Sequence, residues 1–323
     1  MKRVLSGMQP SGKPHLGNYL GAMKRHIAVQ EKYECFYFIA NYHALTTVRD
    51  KKKLQEMTRE LAIDYLALGI NPGKTAFFRQ SDIPEVTELT WILSTVAPFG
   101  LLERAHAWKD AITKKKKDPT VGLFNYPVLM ASDILIYEPD LVPVGRDQKQ
   151  HIEIARDIAQ SFNNHFGETF KLPEDFIEED VQTILGTDGI HKMSKSYGNV
   201  IEIFAHEDEL RKQIMSMVTD PNRVKRDDPG NPDICNVFSL QKIFSPNKIA
   251  EIKKNCKSAK LGCVDNKKAL AEAIIEELKP AREKRIELTK NLDYIDEVLK
   301  KGAKKARETA TKTLDKVRSK VGL

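Results

Sequence analysis

The chain has no apolar run approaching the roughly 18–20 residues that a membrane span requires, so no transmembrane helix is expected. It also lacks the apolar core of a secretory leader. Met1-Lys2-Arg3-Val4-Leu5 leads straight into a strand-like segment, and a cytoplasmic location is expected. Cysteine is scarce, with four in 323 residues. In that compartment they read as thiols or metal ligands before disulfides. There is no internal repeat and no low-complexity tract beyond Lys114–Lys117, which reads as a solvated loop. The balance of 41% hydrophobic and 30% charged residues excludes a disordered chain and fits a globular protein long enough for two domains.

A net positive charge is missing from one part and concentrated in another. Residues 206–323 hold 27 Lys and Arg against 19 Asp and Glu, a net of +8. Residues 1–205 hold 25 against 26, a net of −1. A near-neutral body with a basic C-terminal part suggests an enzyme carrying a polyanion-binding appendage, although a Lys-rich helical surface kept for solubility gives the same count.

The first half alternates strand-like and helix-like segments. Arg3–Gly7, Cys35–Ala40, Thr75–Gln80 and Leu141–Gly145 read as strands. Asn18–Tyr33, Lys52–Leu68 and Tyr126–Tyr137 have helical spacing. The alternation predicts an α/β fold with a parallel sheet covered on both faces. Residues of about 85–120 interrupt it as an insertion. After about residue 205 strand signals fade, and helices are expected over Asp208–Val218, Asn247–Ser258, Asn266–Leu278, Ala281–Lys290 and Asp296–Gly322.

Two segments carry chemistry. Gly7-Met8-Gln9-Pro10-Ser11-Gly12-Lys13-Pro14-His15-Leu16-Gly17-Asn18 lies where the first strand meets the first helix, the edge at which parallel sheets bind ligands. Its glycines let a bulky ligand approach the backbone, and the helix start offers N–H groups to phosphate. His15 and Asn18, three apart, present ring and amide donors to one anion. Such turns are often purely structural, so the second segment matters more. Lys192-Met193-Ser194-Lys195-Ser196 puts two ammonium groups and two hydroxyls in one loop, able to follow a phosphate chain as its charge shifts.

The pair resembles the signatures of class I aminoacyl-tRNA synthetases. His15-Leu16-Gly17-Asn18 is similar to the HIGH signature with Asn in place of its last His, and Lys192–Ser196 matches KMSKS at every position. Gly7–Gly12, Tyr126–Leu135 and Val142–His151 resemble the bacterial tryptophanyl branch in particular. The resemblance implies a Rossmann-like sheet and a reaction that joins L-tryptophan to its tRNA with ATP, carried by Mg2+, through a tryptophanyl-adenylate. His15, Asn18, Lys192 and Lys195 would be catalytic. Gln9, Ser11, Gly17, Asn18, Gly145, Arg146, Asp147, Ile184, Lys192, Met193, Ser194, Lys195 and Ser196 would hold ATP. Asp133 would accept the indole N–H, with Gln9, His43, Tyr126, Met130, Val142, Val144 and Gln148 around the amino acid. Some members carry a lysine where this chain has Ala111, so either that phosphate contact is absent or the Lys114–Lys117 run replaces it.

The resemblance also implies four parts: a catalytic domain over residues 1–190, the signature loop and linker over 191–205, a helical anticodon-binding domain over 206–292, and a C-terminal helix over 293–323 packing back on the catalytic domain. A homodimer is expected from the family, and no membrane partner. The rival readings are a tyrosyl enzyme, a small-molecule adenylyltransferase with the same nucleotide motif, and a non-catalytic RNA-binding relative. Cys235, Cys256 and Cys263 resemble the iron–sulfur site of some tryptophanyl enzymes with the fourth ligand replaced by Asn266. An amide oxygen substitutes poorly for a thiolate, so no cluster is expected.

Overall fold

The computed structural model describes residues 1–114, 118–143, 149–173, 175–176 and 183–323. Burial explains the sheet. Strand β2 (Glu34–Ile39) lies between β1 (Arg3–Met8) and β3 (Thr75–Arg79), all parallel. Its side chains alternate: Cys35, Tyr37 and Ile39 enter one apolar core, Phe36 and Phe38 another. A strand apolar on both sides is what a parallel sheet covered on both faces requires.

Beyond β1 the sheet continues. Leu141 pairs in parallel with Val4, and β4 (Val142–Pro143) pairs with β5 (Asp175–Phe176). The strand order is therefore β3-β2-β1-β4-β5, and its direction reverses between β1 and β4. A reversal of this kind opens a crevice at the carboxyl edge of the sheet.

Several helices differ from the spacing-based expectation. The first covers residues 16–29 and is interrupted by a π turn at Tyr19–Met23. That wider turn sets Gly21 and Ala22 into the wall of the crevice. The helix expected to follow Pro127 begins at Val121, where the Thr120 side chain accepts from the Leu123 N–H, and runs to Leu135 through Pro127. The insertion over residues of about 85–120 is itself helical, as Glu85–Ser94, Phe99–Glu103 and His106–Thr113.

In the C-terminal part the two helices expected on either side of Pro280 are one, Cys263–Thr289. Pro280 removes one backbone bond but sits on the exposed side of the helix. Leu270, Ile274, Leu278 and Leu288 keep the opposite face buried. This helix packs on Lys51–Leu68, where Arg285 Nε donates to the buried Asp64 Oδ1 at 2.7 Å. The last helix, Leu292–Val321, crosses back over β3 and inserts Ala303, Ala306, Ala310, Leu314 and Val317 into the second core. Arg318 clamps Glu88 with bonds of 2.7 and 2.6 Å, and Arg307 pairs with Glu85 at 2.6 Å. Among the described residues no helix is long and apolar enough to cross a membrane.

Candidate active site

A cavity of about 640 Å³ fills the crevice between the ends of β1 and β4. Met8 and Gln9 enter it from β1, Val142 and Pro143 from β4, and His43, Tyr126, Met130 and Asp133 from one side. The walls are largely apolar.

At one end Asp133 is fully buried on the helix Val121–Leu135. A lone carboxylate in apolar surroundings is costly unless donors meet it. Here Gln80 Nε2 lies 2.9 Å from Oδ1 and 2.7 Å from Oδ2, and His43 Nε2 lies 2.9 Å from Oδ2. Burial pushes the Asp133 carboxyl upward, and His43 and Gln80 oppose that shift. Gln80 is itself fixed, since its Oε1 accepts the Tyr42 N–H at 3.0 Å. The Tyr126 hydroxyl lies 2.7 Å from His151 Nε2, and burial raises that phenol's pKa. The result is an apolar slot with one acceptor at its base, shaped for a flat ring carrying an N–H.

Beyond Gln9, which lines this cavity, the two sequence motifs meet. The Leu16 N–H donates to the Ile201 carbonyl at 2.9 Å, and the Ile203 N–H donates to Pro14 at 3.2 Å. These bonds draw the signature loop against the start of the first helix. Lys195 Nζ reaches the Ser11 carbonyl at 2.8 Å, and the buried Met193 lies beside Gly17 and His15. The Ser194 and Ser196 hydroxyls are 2.9 Å apart. Lys192 and Lys195 are exposed. Burial lowers the Lys195 pKa, partly offset by Glu202 and Asp64.

His15 is nearly buried, and its Nδ1 has no hydrogen-bond partner among the described residues. Burial, with help from Lys195 and Lys192, lowers its pKa from 6.5 to about 4, so at neutral pH the ring is an uncharged donor or acceptor. Asn18 Oδ1 accepts the His15 N–H at 3.1 Å, which fixes the backbone under the ring. Charge-handling groups thus gather where phosphate would lie. Ile184 is near the loop as well, with its carbonyl accepting the Met193 N–H at 2.9 Å.

Gln9, His43, Tyr126, Met130, Asp133 and Val142 all line the one cavity. Val144, Gly145, Arg146, Asp147 and Gln148 lie outside the described residues, as do positions 115–117 of the lysine run. Ala111 is buried on its helix and presents no side chain to the phosphate end. Sequence reasoning missed Gln80 and His151. Like Gln9, which the resemblance supplied, Gln80 is a polar residue directly after a buried parallel strand, where such sheets bind ligands.

The three C-terminal cysteines are free thiols. Arg223 Nη1 lies 3.8 Å from Cys263 Sγ, and Asn266 is engaged by Gln241 Nε2 through its carbonyl and its Oδ1. Among the described residues no group of three or more His, Cys, Asp or Glu is arranged to hold a metal ion.

The sequence profile of tRNA synthetases class I (W and Y) matches residues 1–279. The chain is 49% identical over 325 residues to the tryptophan–tRNA ligase of Fusobacterium nucleatum, covering 100% of this chain and 98% of that one. It is 47% identical over 322 residues to the tryptophan–tRNA ligase of Campylobacter jejuni, covering 99% and 100%. A crystal structure of the Campylobacter jejuni tryptophanyl-tRNA synthetase, complexed with ADP and tryptophan, superposes with a TM-score of 0.92 at 47% identity and covers 99% of this chain and 100% of that one.

Proposed function

The chain belongs to the class I tRNA synthetases for tryptophan and tyrosine, and from that premise we infer that it joins L-tryptophan to its tRNA at the expense of ATP. The observation that carries the choice of amino acid is Asp133, one buried acceptor at the base of an apolar slot. An indole N–H needs one acceptor. A phenol both donates and accepts, which is why the tyrosyl reading is disfavoured. The basic helical part after the signature loop is what a small-molecule adenylyltransferase would lack. Two phosphate-handling motifs brought together argue against a non-catalytic relative.

The reaction has two steps. The tryptophan carboxylate attacks the α-phosphorus of MgATP, an oxygen–phosphorus bond forms as the bond to the β-phosphate oxygen breaks, and pyrophosphate leaves. A hydroxyl of the tRNA 3′-terminal adenosine then attacks the acyl carbon, its proton is released, and AMP departs. Catalysis of the first step consists of positioning and charge stabilisation. Lys192 and Lys195 meet the charge that develops on the leaving phosphates. His15 and Asn18 hold the α-phosphate region, with Gln9, Ser11, Gly17 and the Met193–Ser196 backbone around the nucleotide. Ile184, Gly145, Arg146 and Asp147 would hold adenosine, and Val144 and Gln148 would complete the amino-acid side.

Residues 206–292 form the anticodon-binding part in this reading, and residues 293–323 tie the chain's end to the catalytic domain. The exposed Leu45 and Val121 border a groove of about 570 Å³, which suits the homodimer expected of the family. A cytoplasmic location suits an enzyme of protein synthesis. ATP–pyrophosphate exchange with each of the twenty amino acids tests the reading. Tryptophan-dependent exchange is expected, and tyrosine-dependent exchange or none would overturn it. Light scattering of the purified protein tests the dimer.

A further inference from the structure

Two side chains outside the five-residue signature give its loop a shape. Asn199 is buried, and its amide spans the loop. Oδ1 accepts the Ser194 N–H at 2.8 Å, while Nδ2 donates to Asp188 Oδ2 at 2.9 Å and reaches the Lys192 carbonyl at 3.4 Å. Asp188 Oδ1 in turn accepts the backbone N–H groups of Ile190 and His191 at 3.0 and 3.1 Å. Those bonds, that from the Ile190 N–H first, hold its carboxyl down at about 2, so it is ionised at neutral pH. Gly186 admits the amide, since a Cβ there would fall 2.1 Å from Asn199 Nδ2. The Gly186 carbonyl is anchored by Asn236 Nδ2 at 2.7 Å, from the start of the helix Asn236–Phe244.

The backbone is thus tied at residues 192 and 194, on either side of the buried Met193. Lys192 and Lys195, which stand on this stretch, have exposed side chains and gain their direction from the backbone below. We propose that Asp188 and Asn199 are positioning residues of the adenylation step, fixing the spacing and direction of Lys192 and Lys195. The proposal rests on reading the two motifs as an ATP site. In this reading their effect passes through the two lysines. Those lysines contribute where charge develops, and a misplacement of about 1 Å can lower a rate roughly 10²-fold. Loss of the clasp should therefore lower kcat and leave the KM for ATP nearly unchanged.

The test is tryptophan-dependent pyrophosphate exchange by the full-length enzyme, with melting temperature as a folding control. Asn199→Asp sets carboxylate against carboxylate, and kcat should fall about 10²-fold; Asp188→Asn should lower it about tenfold, with the ATP KM within about threefold in both. The double variant Asp188→Asn/Asn199→Asp restores a carboxylate–amide bond with its direction reversed and keeps an acceptor for Ser194. It should recover at least about tenfold over Asn199→Asp. Asp188 is partly exposed, so its variant reports even if the buried position tolerates no change. An unchanged kcat in Asp188→Asn, a lowered melting temperature without a lowered kcat, or a double variant as slow as the product of the two singles would overturn the proposal. Absence of exchange by the unaltered enzyme would overturn the functional reading instead.

Discussion

The ring slot and the signature loop are built on opposite plans. At the amino-acid end, Asp133 and Gln80 are buried, and both carboxylate oxygens already meet donors from Gln80 and His43. At the phosphate end, Lys192 and Lys195 stand exposed on a loop held by hydrogen bonds to a clasp and to the Ser11 carbonyl. Recognition of a ring N–H needs a group that does not move, because a buried acceptor misaligned by a rotamer is simply unpaired. Stabilising a charge that travels from the α-phosphorus to departing pyrophosphate needs cations that strengthen their grip in the transition state. The fold places the first on packed strand and helix ends and the second on a loop.

The largest expected effect belongs to the loop. Lys195→Ala should lower kcat for pyrophosphate exchange about 10²–10³-fold, the range seen when one preorganised charge-stabilising group is removed. The KM for ATP should change little. Steady-state exchange kinetics over ATP concentration check this. Equal losses in binding and turnover would show a ground-state clamp and erase the contrast between the two ends.

Asp133→Ala comes next. The indole N–H would be buried without an acceptor, at about 1–3 kcal/mol, so kcat/KM for tryptophan should fall roughly tenfold to 10²-fold. Exchange measured against tryptophan concentration reports it, and unchanged activation would place the ring elsewhere. Gln80→Leu should act in the same direction with a smaller effect, about tenfold or less, because His43 still holds one oxygen of Asp133. A loss as large as that of Asp133→Ala would mean that Gln80 contacts the substrate itself.

The contrast also explains what the sequence reveals and what it hides. The parallel sheet was legible because β2 reads as an unbroken apolar and aromatic run, which only a strand covered on both faces tolerates. The phosphate end was legible because its residues are contiguous, as Gly7–Asn18 and Lys192–Ser196. The amino-acid end was legible only in part. Asp133 stands out as a carboxylate among Leu129, Met130, Ile134 and Leu135, but Gln80 lies 53 residues away, joined to it only by the fold. The clasp was hidden for the same reason, since a lone Asp and a lone Asn after a signature look like ordinary loop residues. Helix ends were misjudged at both prolines, because proline argues locally against a helix while burial of one long face argues for it.

Acid sensitivity gives the smallest and most discriminating contrast. His15 at the phosphate end and His26 in the adjoining core both have pKa values lowered from 6.5 to about 4, chiefly by burial. As the pH falls from about 6.5 towards 4, the unfolded chain takes up a proton at each position that the folded protein refuses. The unfolded state binds more protons there, so stability falls with pH through that window. Asp64, pushed up to about 6 by burial with Arg285 only partly opposing, acts in the other sense between 3.8 and 6, and Asp133, also raised by burial, acts with it. The share of the two histidines is a drop in melting temperature between pH 7 and pH 5, and the share of the two carboxyls is a rise. His15→Gln should lessen the drop, because the variant has no proton to refuse. Activity should behave differently from stability. His15 stays uncharged throughout this range while the protein is folded, so it should add no inflection to kcat for exchange between pH 6 and 8. An inflection near 6.5 that disappears in His15→Gln would show that the ring titrates in the folded enzyme, and that the phosphate end is more open to water than its burial indicates.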